Sequence, residues 1–218
     1  MDGVVYACDI GSVKSESFAW ARNTAIQDTP VVSTEIDDLI SSIIRDAEAG
    51  FSIALGFEAP LFLPVPENSD KLNTGREKEA NRSMFAPPGA AVTTMGVQQT
   101  AWILKQLHSP LSHILYMSRD WRAPWRVLPQ KLFVWEAFVS AAAHSDTHER
   151  DAATAVQYFL EKEDNLDDAN AIPTCDNPLS LIAAAGLWSG WLRDKAVLHS
   201  PCLVLRPDEP YNGPISPA

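Results

Sequence analysis

Read from its N-terminus, the chain opens on an unbroken apolar run, Val4-Val5-Tyr6-Ala7-Cys8, that stops at Asp9-Ile10-Gly11. The run predicts a buried strand over residues 3–10. Phe18 and Trp20, alternating with Ala19 and Ala21, predict a second strand over Glu16–Arg22, and Pro30–Ile36 reads as a third. Strands in such close succession form an antiparallel meander. Leu39, Ile40, Ile43, Ile44 and Ala47 then fall at helical spacing behind Asp37 and Asp38, acids that suit the positive end of a helix, and Gly50 stops the pattern. A fourth strand, Phe51–Phe57, follows at once, so the helix is the crossover into a sheet that turns parallel.

Beyond it the pattern breaks. Pro60, Pro64, Pro66, Pro87 and Pro88 exclude long regular elements over residues 60–90. Met95–Leu107 reads as a helix, Lys131–Val139 as the fifth strand, and His148–Lys162 as a helix with Ala152, Val156, Phe159 and Leu160 facing inward. Asn177-Pro178, a favoured cap and first residue, opens a last helix over Pro178–Leu192. Leu203–Leu205 adds a short edge strand, and the Pro-rich tail is expected to be loosely held. The order is three strands, helix, strand, helix, strand, helix, helix: an α/β chain with a mixed five-stranded sheet and helices on both faces, the layout of a ribonuclease H-like fold. With 218 residues the chain buries a full core as one domain, residues 1–205, with an irregular insertion at about 60–130 and a tail at 206–218.

Charge narrows the class of partner. A net charge of -11 is unusual for a protein that grips nucleic acid by its phosphates, which normally needs a basic face. Cys8, Cys175 and Cys202 have no metal-ligand spacing and form no disulfide framework, which points to a reducing compartment. The richest apolar stretch, Leu179–Leu192, is interrupted by Gly186 and Gly190 and falls short of a membrane span. A cytoplasmic protein without a membrane partner is expected.

Acids in apolar strands carry the chemistry. Asp9 ends the first strand, Glu58 ends the fourth before Ala59-Pro60, and Glu136 lies in the fifth between Trp135 and Ala137. A carboxylate is costly to bury unpaired, so each needs a partner or a function. Were strands one and four neighbours, Asp9 and Glu58 would form an acidic pocket suited to Mg2+ or Mn2+, ions that take oxygen ligands and keep several waters. Each acid also has an ordinary reading: Asp9 as the end of a strand bonding its turn, Glu58 as a solvated strand end, Glu136 as an outward-facing strand residue. Neither a GxxxxGK[ST] phosphate loop nor a GxGxxG fingerprint is present.

Five short pieces, in order, resemble a family of ribonuclease H-like predicted nucleases of the DUF429 type. They are Asp9-Ile10-Gly11; Phe57-Glu58-Ala59-Pro60-Leu61; a segment with Arg76, Glu77, Arg82, Phe85, Pro87 and Pro88; Val134-Trp135-Glu136-Ala137-Phe138; and Asp176-Asn177-Pro178-Leu179-Ser180-Leu181-Ile182-Ala183-Ala184-Ala185. The resemblance implies a metal-dependent nuclease or phosphodiesterase, with Asp9, Glu58, Glu136 and Asp176 as catalytic acids and Asp9, Glu58 and Asp176 as metal ligands. Two departures stand out: Glu58 replaces the family's aspartate, and Ser180 stands where the closing helix would carry its acid. A helix-borne ligand would then be Asp176, a residue that equally suits capping of the helix start.

Arg76 and Arg82, with Lys71 and Lys78, would suit a phosphate-bearing substrate, although Glu77 and Glu79 interleave as in a salt-bridged surface turn. Arg119, Trp121, Arg122 and Trp125, with Arg126, could stack bases and hold phosphates as single-strand binders do, or form a lid whose arginines pair with acids. The histidines show no convergent spacing; His144 and His148, four apart, make a weak metal case. Three functions follow. The first is a divalent-metal hydrolase acting on nucleic acid or another phosphodiester. The second is a binding or scaffold protein that keeps the fold without a full acidic site. The third, an actin-like phosphotransferase suggested by the Asp9-Ile10-Gly11-Ser12 turn, lacks a second phosphate turn.

Overall fold

β1 (Gly3–Asp9) is the centre of the molecule, and every one of its residues is buried. The computed structural model describes residues 2–76, 79 and 84–218. β1 pairs antiparallel with β2 (Ala19–Thr24), which pairs antiparallel with β3 (Val31–Ser33), as the meander requires. α1 (Ile36–Glu48) buries Leu39, Ile43 and Ala47, and Gly50 follows it with φ +98, a conformation that favours glycine. The chain then returns as β4 (Ser52–Glu58), parallel to β1 on its other side. β7 (Lys131–Ala137) lies parallel to β4, and β6 (Tyr116–Ser118) and β9 (Val204–Leu205) share its far edge, one along each half.

The main sheet therefore has eight strands, not the expected five, in the order β10-β3-β2-β1-β4-β7-β6 with β9 also beside β7. β9 is the short edge strand expected at Leu203–Leu205, and β6 and β10 are three- and two-residue strands too short to carry a pattern of their own. β10 (Ser216–Pro217) pairs with β3, so the tail is tied down rather than loose. Thr154 Oγ1 also accepts the Tyr211 N–H at 2.9 Å.

Two further corrections concern helix starts. α2 runs over Pro87–Leu111, with Pro87 and Pro88 forming its first turn instead of breaking it. A first-turn residue has no intrahelical N–H bond to lose, so proline fits there. The last helix, α5 (Leu181–Ser189), begins later than Asn177-Pro178 because Pro178–Ser180 is drawn out as β8 against β5 (Phe62–Pro64). Ser180, at the position of the missing acid, caps α5 by accepting the Ala183 N–H at 3.2 Å. α3 (His148–Lys162) has the expected bounds, with Thr147 as its cap.

Strand parity sorts the core into two layers. Val4, Tyr6, Cys8, Ile53, Leu55, Phe57, Leu132 and Val134 face α1, α2 and α5. Val5, Ala7, Ala54, Phe133, Trp135 and Ala137 face α3. Small residues predominate on the α3 side of β1 and β4, which lets Trp135 cross β4: a Cβ on Gly56 would lie 2.5 Å from the Trp135 ring. Among the described residues no helix is long and apolar enough to cross a membrane.

Candidate functional site

Asp9 and Glu58 close their strands directly opposite one another in the parallel register. Their parity matches Val5, Ala7 and Ala54, so both side chains project toward α3. Asp9 is buried, and His148 Nδ1 in the first turn of α3 stands 2.6 Å from its Oδ2. One turn further, on the same face of α3, Asp151 is 1% exposed. Its Oδ1 accepts the Ser145 N–H at 2.7 Å and the Ser145 hydroxyl at 2.5 Å, and its Oδ2 lies 2.5 Å from His144 Nδ1. Glu58 is the odd member, since its Oε2 is sequestered from solvent and has no hydrogen-bond partner.

The electrostatics follow from this crowding. Burial pushes the Asp9 carboxyl up to about 6; the His148 hydrogen bond and charge oppose that rise, and the Asp151 charge adds to it. Burial likewise pushes Glu58 well above the usual carboxylate range, with the charges of Asp9 and then Asp151 acting in the same direction. Both shifts mark a set of carboxylates that repel one another where water is scarce. A cavity of about 500 Å³ opens beside them, with Ile10, Pro60, Met84, Val92 and Phe138 among its walls.

Of the other expected site residues, Glu136 and Arg76 line the same cavity, though engaged with each other, and the rest lie elsewhere. Glu136 has the parity of Leu132 and Val134, which puts it on the opposite face of the sheet from Asp9 and Glu58. There it is 1% exposed, accepts the Leu61 N–H at 2.8 Å and forms a two-point pair with Arg76 at 2.6 and 2.7 Å. It is buried and paired at the edge of the cavity, not the outward-facing residue of the ordinary reading. Arg76 is also buried and spends its remaining donors on Glu79. Asp176 is exposed and lines a separate hollow with Lys71, Thr74 and Cys175, away from Asp9. Arg82 lies outside the described residues.

Of the aromatic and arginine cluster, Trp125 and Arg126 sit at the far end of the sheet. A Cβ on Gly3, at the start of β1, would lie 2.4 Å from the Trp125 ring, whereas Asp9 ends that strand roughly 20 Å away at about 3.3 Å per residue. Trp125 packs edge-on against Phe159, and Trp121 donates its indole N–H to Asp167 at 2.8 Å. Arg122 pairs with Asp167 and Arg126 with Glu163, the lid-like alternative of the sequence reading. Arg119 donates to Ser180 Oγ and the Ser200 carbonyl.

Sequence reasoning gave His144 and His148 only a weak metal case and missed Asp151. A signal for Asp151 existed: it precedes Ala155 by four residues and Phe159 by eight, on the inward stripe of α3. Among the described residues no three His, Cys, Asp or Glu side chains stand together in the geometry of a single-ion chelate. No family model, curated protein or solved structure matches this chain.

Proposed function

We propose that the chain is a ribonuclease H-like hydrolase of phosphodiesters that works with Mg2+ or Mn2+. The observation that carries this is the unpartnered Glu58 Oε2 directly across from Asp9, with Asp151 close enough to raise both carboxyls. Supporting the fold assignment, an antiparallel β3-β2-β1 meander continues into parallel β4 and β7, and the helix after β7 brings the third acid. On this reading Asp151 takes the role that the family resemblance gave to Asp176.

The donor type, though not a ready chelate geometry, suits a hard divalent ion. Asp9, Glu58 and Asp151 supply oxygen only, and Glu58 has an oxygen with no other use. When bound, such an ion neutralises charge on the phosphoryl oxygens of an in-line displacement. The chain's own residues do the rest. Asp9, Glu58 and Asp151 would hold the ion at the sheet end, and the reacting phosphate would be held through it, while His148, oriented by Asp9, holds or accepts a proton at Nε2. In the hydrolysis the oxygen of water bonds to phosphorus and the bond to the leaving oxygen breaks. One proton of the water ends on that leaving group. The free thiols of all three cysteines support a reducing, cytoplasmic setting.

One observation favours the scaffold reading. Asp9 and Asp151 each already hold a histidine, so the acids are partly satisfied without an ion. Calorimetric titration with Mn2+ and Mg2+ separates the two. The hydrolase reading expects saturable binding by the wild type, lost in Glu58→Gln, together with metal-dependent release of nitrophenol from bis(p-nitrophenyl) phosphate. Absence of binding at millimolar ion would leave the scaffold.

A further inference from the structure

The cavity next to Asp9 and Glu58 has its own chemistry, and it differs from that of a nucleic-acid groove. Its volume, about 500 Å³, lies within the range of small-molecule sites. Met84, Pro88, Val92, Phe138 and Val139 make most of its wall apolar, and Asp9, Glu58, Glu79 and Glu136 line it as well. Among the described residues Arg76 is the only Lys or Arg that lines it, and Glu79 and Glu136 already take that guanidinium. A polymer of phosphates is bound through free cations along a track. Here the net charge is -11, Arg122 and Arg126 are tied into acids, and Arg126 lies at the other end of β1.

Two residues that line the cavity carry a sequestered side-chain oxygen without a protein partner: Glu58 Oε2 and the hydroxyl of Ser140, a residue 7% exposed just beyond β7. Buried polar groups are normally hydrogen-bonded, because an unmet donor or acceptor destabilises the fold. Two in one apolar cavity mark the places where a ligand supplies the missing partners.

We infer that this site takes a small phosphodiester bearing an apolar or aromatic group, with the organic group between α2 and the segment after β7 and Ser140 Oγ hydrogen-bonded to the ligand. The inference rests on the hydrolase reading above for the phosphate, whereas the cavity chemistry stands on Ser140 and the apolar walls.

The test uses the full chain, Mg2+ and two probes, bis(p-nitrophenyl) phosphate and a single-stranded 20-nucleotide DNA, with binding read by calorimetry and cleavage read separately. The small diester is expected to bind and the DNA to bind no better than a non-specific polyanion. Ser140→Ala should weaken diester binding about three- to tenfold, the range for one hydrogen bond, without lowering the melting temperature. Val92→Trp, which fills the cavity, should abolish it. Diester binding that is sensitive to Ser140 but never followed by cleavage would support the cavity assignment and overturn the hydrolase reading instead. Cleavage of the DNA with no diester binding, or diester binding indifferent to both variants, would overturn the inference.

Discussion

Glu58 faces Asp9 across the parallel β1–β4 pair with one oxygen unpartnered, while Asp9 is held by His148. The two acids thus differ in kind, one satisfied by a neighbouring side chain and the other kept as a standing charge conflict. Natural proteins tolerate such conflicts chiefly where a ligand relieves them.

The conflict has a pH signature. Asp9 titrates near 6 in the folded chain, and Glu58 is also raised. A carboxyl raised above its unfolded value of about 4 binds its proton more tightly in the folded state, so its contribution to stability falls as pH rises from about 4 through the folded value. Above that window the charge is a constant penalty. Glu58→Gln should therefore raise the melting temperature at pH 7.5 by about 2–8 °C, taking about 1–2 kcal/mol of relief and a few degrees per kcal/mol for a chain of this size. The difference from wild type should close toward pH 4. A variant that melts lower than wild type at pH 7.5 would mean that Glu58 has a stabilising partner.

The third acid can be assigned by comparing two conservative variants. Asp151→Asn keeps an acceptor for Ser145 but removes the charge beside Asp9, so Mn2+ affinity should fall about tenfold or more. Asp176→Asn, at an exposed position in another hollow, should leave it within about twofold, as surface changes away from a site do. The reverse ranking in a metal titration would restore Asp176 to the role first implied for it.

Asp9 and Glu58 were legible in the sequence because an acid inside an apolar strand is rare enough to demand a reason. Glu136 gave the same signal and meant something else. Its side of the sheet depends on the register Phe57↔Glu136, a long-range pairing that no local pattern contains. The same limit explains Ser180. Both Asn177-Pro178 and Ser180 satisfy helix-start rules, and pairing of Phe62–Pro64 with Pro178–Ser180 decides between them. Asp151 was overlooked for a different reason: as an acid in a helix's first turn it has a sufficient local explanation in the helix dipole, which masked its place on the inward stripe of α3 against β1 and β2.

Because the Trp121–Arg126 cluster is structural, its exposed ion pair should matter little. Arg122→Ala removes a pair in which both side chains are more than half exposed, so the loss should be at most about 1 kcal/mol. Diester binding at the acid site should stay unchanged. A drop in that affinity, measured beside the melting curve, would show that the two ends of the sheet communicate.

The buried Arg76 network should behave in the opposite way. Arg76 bridges Glu136 on β7 and Glu79 in the loop, and its guanidinium lies over the Phe62 ring at 4.7 Å. Removing one partner of a buried pair strands the other's charge, which costs about 3–5 kcal/mol. Arg76→Ala should accordingly lower the melting temperature by about 6–20 °C, well beyond any surface substitution. Much of that penalty is the abandoned Glu136 carboxylate, not the lost attraction. Adding Glu136→Gln to Arg76→Ala should then recover part of the loss, although the Leu61 N–H must still find its acceptor in the amide oxygen. A double-mutant cycle measures this directly: a double variant less stable than Arg76→Ala, by the full cost of Glu136→Gln alone, would show that the two residues are not coupled.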